Sequence, residues 1–116
     1  MKKYLEDQRL SNDDFYLAKD GVHPNDTGHW LMAKQLLLYL GEDEISKANG
    51  MEEVVSQFHH GLEIWKLVEE RQKIMKDAWL TSIGHQRPGM NVGLALGDAL
   101  DKTEILRKQI RNLQKN

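Results

Sequence analysis

Asp20-Gly21-Val22-His23-Pro24-Asn25 puts a carboxylate and an imidazole three residues apart. Histidine titrates near neutral pH and can take a proton from a hydroxyl nucleophile. A carboxylate on the far ring nitrogen fixes the tautomer and stabilises the imidazolium. Gly21 supplies backbone freedom for a sharp turn, and Pro24 biases His23 toward an extended backbone, out of any continuous helix. The pattern predicts one loop carrying the acid–base half of a hydrolytic triad, with Asp20 on Nδ1 of His23 and Nε2 facing a serine hydroxyl. The competing reading is a surface turn in which Asp20 only caps or is solvated.

The loop needs elements to hold it. Asn25, Asp26 and Thr27 are three side chains able to cap exposed N–H groups, and they precede a helix running to Leu40, with Gly41 as its stop. Trp30, Leu31, Ala33, Leu36, Leu37, Leu38 and Leu40 cover most of that helix's circumference, so it wants cover on more than one side. Before the loop, a short helix is expected over 2–9, and Phe15-Tyr16-Leu17 is the one strand candidate. After it, residues 42–50 read as a polar linker, and Met51, Val54, Val55 and Phe58 as a short helix broken at Gly61. A long helix over 62–83 carries Ile64, Leu67, Val68, Ile74, Met75 and Ala78 as its stripe. A loop rich in breakers, 84–93, leads to a last helix starting near Leu96 or Asp98 and ending at Leu113, and the two should form a long antiparallel hairpin.

Composition narrows the function classes. The chain has 116 residues, which fits one domain or a piece of one. Its longest apolar run, Leu36 to Leu40, is far short of the ~20 residues of a spanning helix, so no membrane span is expected. Net charge is −2 with both signs interspersed, which argues against a nucleic-acid surface. With no cysteine, disulfides and thiolate metal sites are excluded. The start at Met1-Lys2-Lys3 carries charge where a signal peptide needs an apolar run, so a cytoplasmic chain is expected if Met1 is the true start.

Asp20, Gly21, His23, Pro24, Asn25 and Gly28, followed by the helix His29-Trp30-Leu31-Met32-Ala33, resemble the last catalytic block of the SGNH (GDSL) hydrolases, a family of serine esterases and lipases. Trp65-Lys66-Leu67 and Asp77-Ala78-Trp79-Leu80-Thr81 resemble the helical tail of some bacterial members. The resemblance implies that Asp20 is the triad acid and His23 the triad base, acting on an ester substrate without a cofactor. The family's nucleophile lies in a Gly-Asp-Ser motif, and its oxyanion hole adds a glycine and an asparagine from two middle blocks. None of these contexts occurs here: the serines are Ser11, Ser46, Ser56 and Ser82, and none follows Gly-Asp. The family fold is a three-layer α/β/α, flavodoxin-like sandwich. The helical patterning predicts a chain that is mainly α as it stands, and the resemblance implies that it is a C-terminal fragment of such a domain. Residues 1–41 would end the hydrolase domain and residues 42–116 would form a helical extension. Its expected partner is the missing N-terminal hydrolase half, and without it the chain is expected to be inactive.

Other residues invite blander readings. Adjacent His59 and His60 at a helix end point in different directions and lack an H-E-x-x-H spacing, so no metal site is expected. His29 reads as a helix-surface residue, and Trp30, Trp65 and Trp79 as packing residues rather than ligand stackers. His85, Gln86 and Arg87 are either a plain hairpin connection or a cover over the catalytic turn. A second function class also stands: a non-enzymatic helical module that self-associates through its apolar stripes.

Overall fold

The computed structural model describes residues 1–115, and helices with no strand make up its regular structure among them. The α-helices are α1 (Lys2–Arg9), α2 (Asp26–Tyr39), α3 (Met51–Val55), α4 (Gly61–Ser82) and α5 (Leu96–Lys115), with a 3-10 helix at Asp43–Lys47 between α2 and α3. The chain forms two compact units that part between Val54 and Val55. No helix among the described residues is long and apolar enough to cross a membrane.

In the first unit, α2 is organised around Trp30. Trp30 is buried with Ile45, Ala48 and Val54, and Leu37, Leu38 and Met51 pack partly buried against them. Residues 42–50 are thus no polar linker, as their composition suggested, but the cover on one face of α2. The reason is local: a 3-10 turn eclipses residues three apart, so Ile45 and Ala48 fall on one side beneath a run of acidic neighbours. The Lys34 ammonium fastens this cover by donating to the Ala48 carbonyl at 2.8 Å. The segment to Val54 belongs to this compact unit.

The strand expected at Phe15-Tyr16-Leu17 does not form. With no neighbouring strand to pair with, its carbonyls are used otherwise. Those of Tyr16 and Leu17 accept from Asn25, and that of Phe15 accepts from Arg9 Nε at 2.9 Å. The Phe15 ring meets Tyr4 of α1 edge-on, 6.2 Å between centroids, and Leu17 is buried.

The second unit is the antiparallel pair α4–α5. Gly93 N–H donates to Thr81 Oγ1 at 2.8 Å and Thr103 Oγ1 donates to Met75 Sδ at 3.4 Å, so one helix descends as the other climbs. Leu96, Ala99, Thr103, Leu106, Ile110 and Leu113 alternate three and four apart, the spacing of a two-helix seam, and Ala99, Thr103 and Leu106 are buried. Ala78 and Ala99 are wholly inaccessible to solvent, so the helices approach closely at that level. Gly61 does not end a helix; it begins α4, directly after His60, which holds a left-handed φ of 55°. A Cβ on Gly61 would overlap the Val55 carbonyl, so glycine is needed there for space.

Gly93 plays the same spatial part at the other end of the hairpin, since a Cβ on it would overlap the backbone of Asp77 and Ala78. Gly93→Ala is expected to destabilise the hairpin by about 1–3 kcal/mol, the usual cost of forcing extra volume into a packed contact. Gly97→Ala, where a Cβ meets nothing within 4 Å, should be neutral or mildly stabilising. Urea denaturation of the two variants, followed by far-UV circular dichroism, checks the pair.

Candidate functional site

The Asp20–His23 turn is tied to the start of α2 by Asn25. Asn25 has an extended backbone, and its Oδ1 accepts from Gly28 N–H at 2.9 Å, which makes it the N-cap. Its Nδ2 donates to the Tyr16 carbonyl at 2.9 Å and its backbone N–H to the Leu17 carbonyl at 2.7 Å. One side chain therefore joins the incoming segment, the turn and the helix. Gly28 is required by the same crowding: a Cβ there would stand 2.9 Å from both the Leu17 carbonyl oxygen and Pro24 Cβ. Gly21 supplies the left-handed φ of 78° at the bend.

Within the turn, the two oxygens of Asp20 do separate work. Oδ1 accepts the backbone N–H groups of Val22, at 3.0 Å, and His23, at 2.8 Å. Oδ2 lies 2.6 Å from His23 Nδ1. The carboxyl pKa is driven far below the usual carboxylate range, first by the His23 ring hydrogen bond and then by the two backbone donors. An ionised carboxylate can only accept, so the proton between them belongs to Nδ1. In the neutral ring Nε2 then carries the lone pair, the state a general base needs. The side chains stay on the surface, His23 84% and Asp20 54% exposed, so Nε2 is open to an approaching hydroxyl.

Two of the four serines spend their hydroxyl protons on nearby carbonyls. Ser11 Oγ donates to the Gln8 carbonyl and Ser82 Oγ to the Trp79 carbonyl. Both of these hydroxyls are thus engaged within their own segments. His29 is exposed on α2. The rings of His59 and His60 lie 4.0 Å apart, and His60 Nδ1 pairs with Glu63 at 3.3 Å. No group of three or more His, Cys, Asp or Glu with metal-site geometry occurs among the described residues. Trp30 is a core residue, whereas Trp79 is half exposed. His85, Gln86 and Arg87 lie exposed on the α4–α5 connection, in the second unit.

Sequence reading missed the second role of Asn25. Its capping was visible from position; its grip on the Tyr16 carbonyl was not, because that acceptor comes from an irregular segment. The available signal was Gly28 three residues on, which leaves room for the carbonyls of that segment to close in. Comparison of the chain with protein families, curated proteins and solved structures finds no match.

Two measurements follow. Asn25→Ala should cost about 1 kcal/mol of stability, as loss of an N-cap does, read from a thermal or urea melt. The second concerns acid. A carboxylate whose folded-state pKa is depressed adds stability that is present above its ordinary value of 3.8 and is lost as pH falls below it. In His23→Ala the Asp20 carboxyl should titrate closer to that ordinary value, and part of the acid sensitivity should vanish. Carbon-13 NMR titration of Asp20 in both proteins reads the shift; an unmoved midpoint would refute the ring's part in holding the charge.

Proposed function

We propose that this chain supplies the triad acid, Asp20, and base, His23, of an SGNH-type serine ester hydrolase. In this reading residues 1–41 are the last part of a three-layer α/β/α domain and residues 42–116 a helical extension. The serine and the oxyanion donors come from a separate stretch of polypeptide. Asp20 holds the ring tautomer, and His23 Nε2 takes the serine proton as its oxygen attacks the ester carbonyl. The imidazolium then protonates the leaving alkoxide, and the same ring activates water to release the acid. The observation that carries this is the 2.6 Å contact between Asp20 Oδ2 and His23 Nδ1, with the ring exposed to solvent beyond it.

The outer face of α2 supports the same reading. Met32, Leu36, Tyr39 and Leu40 follow His29 at three- and four-residue spacing, opposite Trp30, and all four apolar side chains are exposed. A stripe of this kind, running from the helix end that carries the turn, suits a sheet that would bring a nucleophile to His23. The rival reading, a non-enzymatic self-associating module, draws on Trp79 and Leu100, each 52% exposed on the hairpin.

Alone, the chain is expected to hydrolyse no short-chain aryl ester above the buffer rate. Co-expressed with a polypeptide carrying the Gly-Asp-Ser and oxyanion segments of its parent, it should turn such esters over, and His23→Ala should lower kcat by several orders of magnitude. Turnover that survives His23→Ala would sink the hydrolase reading. A discrete oligomer of the isolated chain that Trp79→Ser disperses, with no ester turnover in the reconstituted pair, would favour the module.

A further inference from the structure

We propose that Asn49-Gly50 is a self-modifying site, at which Asn49 deamidates spontaneously under restraint by Glu53, and that its conversion loosens the cover over α2. Asn49 is the one asparagine in the chain followed by glycine. In the reaction, the backbone nitrogen of Gly50 attacks Asn49 Cγ and forms a new N–C bond. The Cγ–Nδ2 bond breaks, the amide proton leaves with it, and ammonia departs. Water opens the resulting cyclic imide at either carbonyl, giving aspartate or isoaspartate at position 49. No oxidant or other reagent is needed.

Local structure favours attack at this asparagine. Asn49 is exposed. Gly50 has no side chain to shield its nitrogen, and a Cβ built on it meets no atom within 4 Å. Asn25 is followed by Asp26, not glycine, and its Oδ1 and Nδ2 are tied to two different segments, by Gly28 and Tyr16.

Glu53 is the restraint. Its Oε2 accepts Asn49 N–H at 2.8 Å, and its two oxygens accept Asn49 Nδ2 at 3.2 and 3.4 Å. Attack requires the amide to leave Glu53 and turn toward Gly50, so these bonds lower the share of time spent in the reactive geometry. The ionised form that makes them is favoured, since the Asn49 donors, and more weakly Lys34, lower the Glu53 pKa.

Conversion reverses the sign of the contact. The amide donor is replaced by a carboxylate facing the carboxylate of Glu53, and like charges at that range repel. Isoaspartate also inserts an extra methylene into the main chain between Ala48 and Val54, both of which are buried with Trp30. The hydrogen bond from Lys34 to the Ala48 carbonyl sits on the same segment. The cover should therefore loosen where it meets α2.

The test ages the full chain at physiological temperature and mildly alkaline pH, alongside Gly50→Ala and Glu53→Gln. Tryptic digestion isolates Asn49 in the peptide 48–66, where it is the only asparagine. Mass spectrometry should show deamidation accumulating there well ahead of the peptides holding Asn25 and Asn91. Gly50→Ala should slow it several-fold and Glu53→Gln quicken it several-fold. Hydrogen exchange over 42–55 should be faster in aged than in fresh protein. Asn49 reacting no faster than the other asparagines, or at an unchanged rate in Gly50→Ala, would overturn the site. An unchanged rate in Glu53→Gln would overturn the restraint, and unaltered exchange in fully converted protein would overturn the loosening.

Discussion

The first unit's surface chemistry depends on how the Asp20 carboxylate divides its two oxygens. One closes the turn by taking the backbone N–H groups of Val22 and His23, and the other takes the ring. Without the first, the turn has no reason to hold His23 over Asp20; without the second, the ring has no preferred tautomer. The backbone bonds fix where the carboxylate points before the side chain of His23 is considered, so the ring is received by a group already oriented. Preorganisation of this kind is what distinguishes an acid–base pair from two polar neighbours.

The turn in turn depends on spacing set by glycines and by Asn25. Gly28 admits the Leu17 carbonyl to the first turn of α2, and Asn25 bonds across that gap to both sides. Neither unit has a deep core: among the described residues no large side chain is completely buried. The hairpin seam closes on Ala78 and Ala99, and the first unit on Trp30 with a 3-10 turn and a single turn of helix. In so shallow a structure, individual caps and close contacts are a large share of total stability.

Much of this was legible in the sequence. α2, α4 and α5 fall close to their expected bounds because their apolar spacing or capping residues mark them, and the antiparallel hairpin follows from two long stripes joined by a loop rich in breakers. The Asp20–His23 contact was legible because it is local: three residues, one glycine, one proline. What was hidden depended on tertiary context. Ile45 and Ala48 look isolated among Glu42, Asp43 and Glu44 until a 3-10 turn aligns them under Trp30. Gly61 looks like a breaker until the Val55 carbonyl is seen in the space its side chain would need. Phe15-Tyr16-Leu17 has strand composition, but a strand requires a partner, and its carbonyls serve Arg9 and Asn25 instead.

The hairpin's pairing order has a consequence for how it comes apart. Thr81 bonds to Gly93 beside the bend, Met75 to Thr103 farther along, and Ile64 and Leu113 border one cavity near the open end. Each contact lies just outside the last, so the entropy of closing a loop falls mainly on the first pair and later ones add little. Such nesting gives low contact order, the condition for rapid, zipper-like assembly from the bend. The same nesting makes the open end, farthest from the bend, the cheapest place to fray.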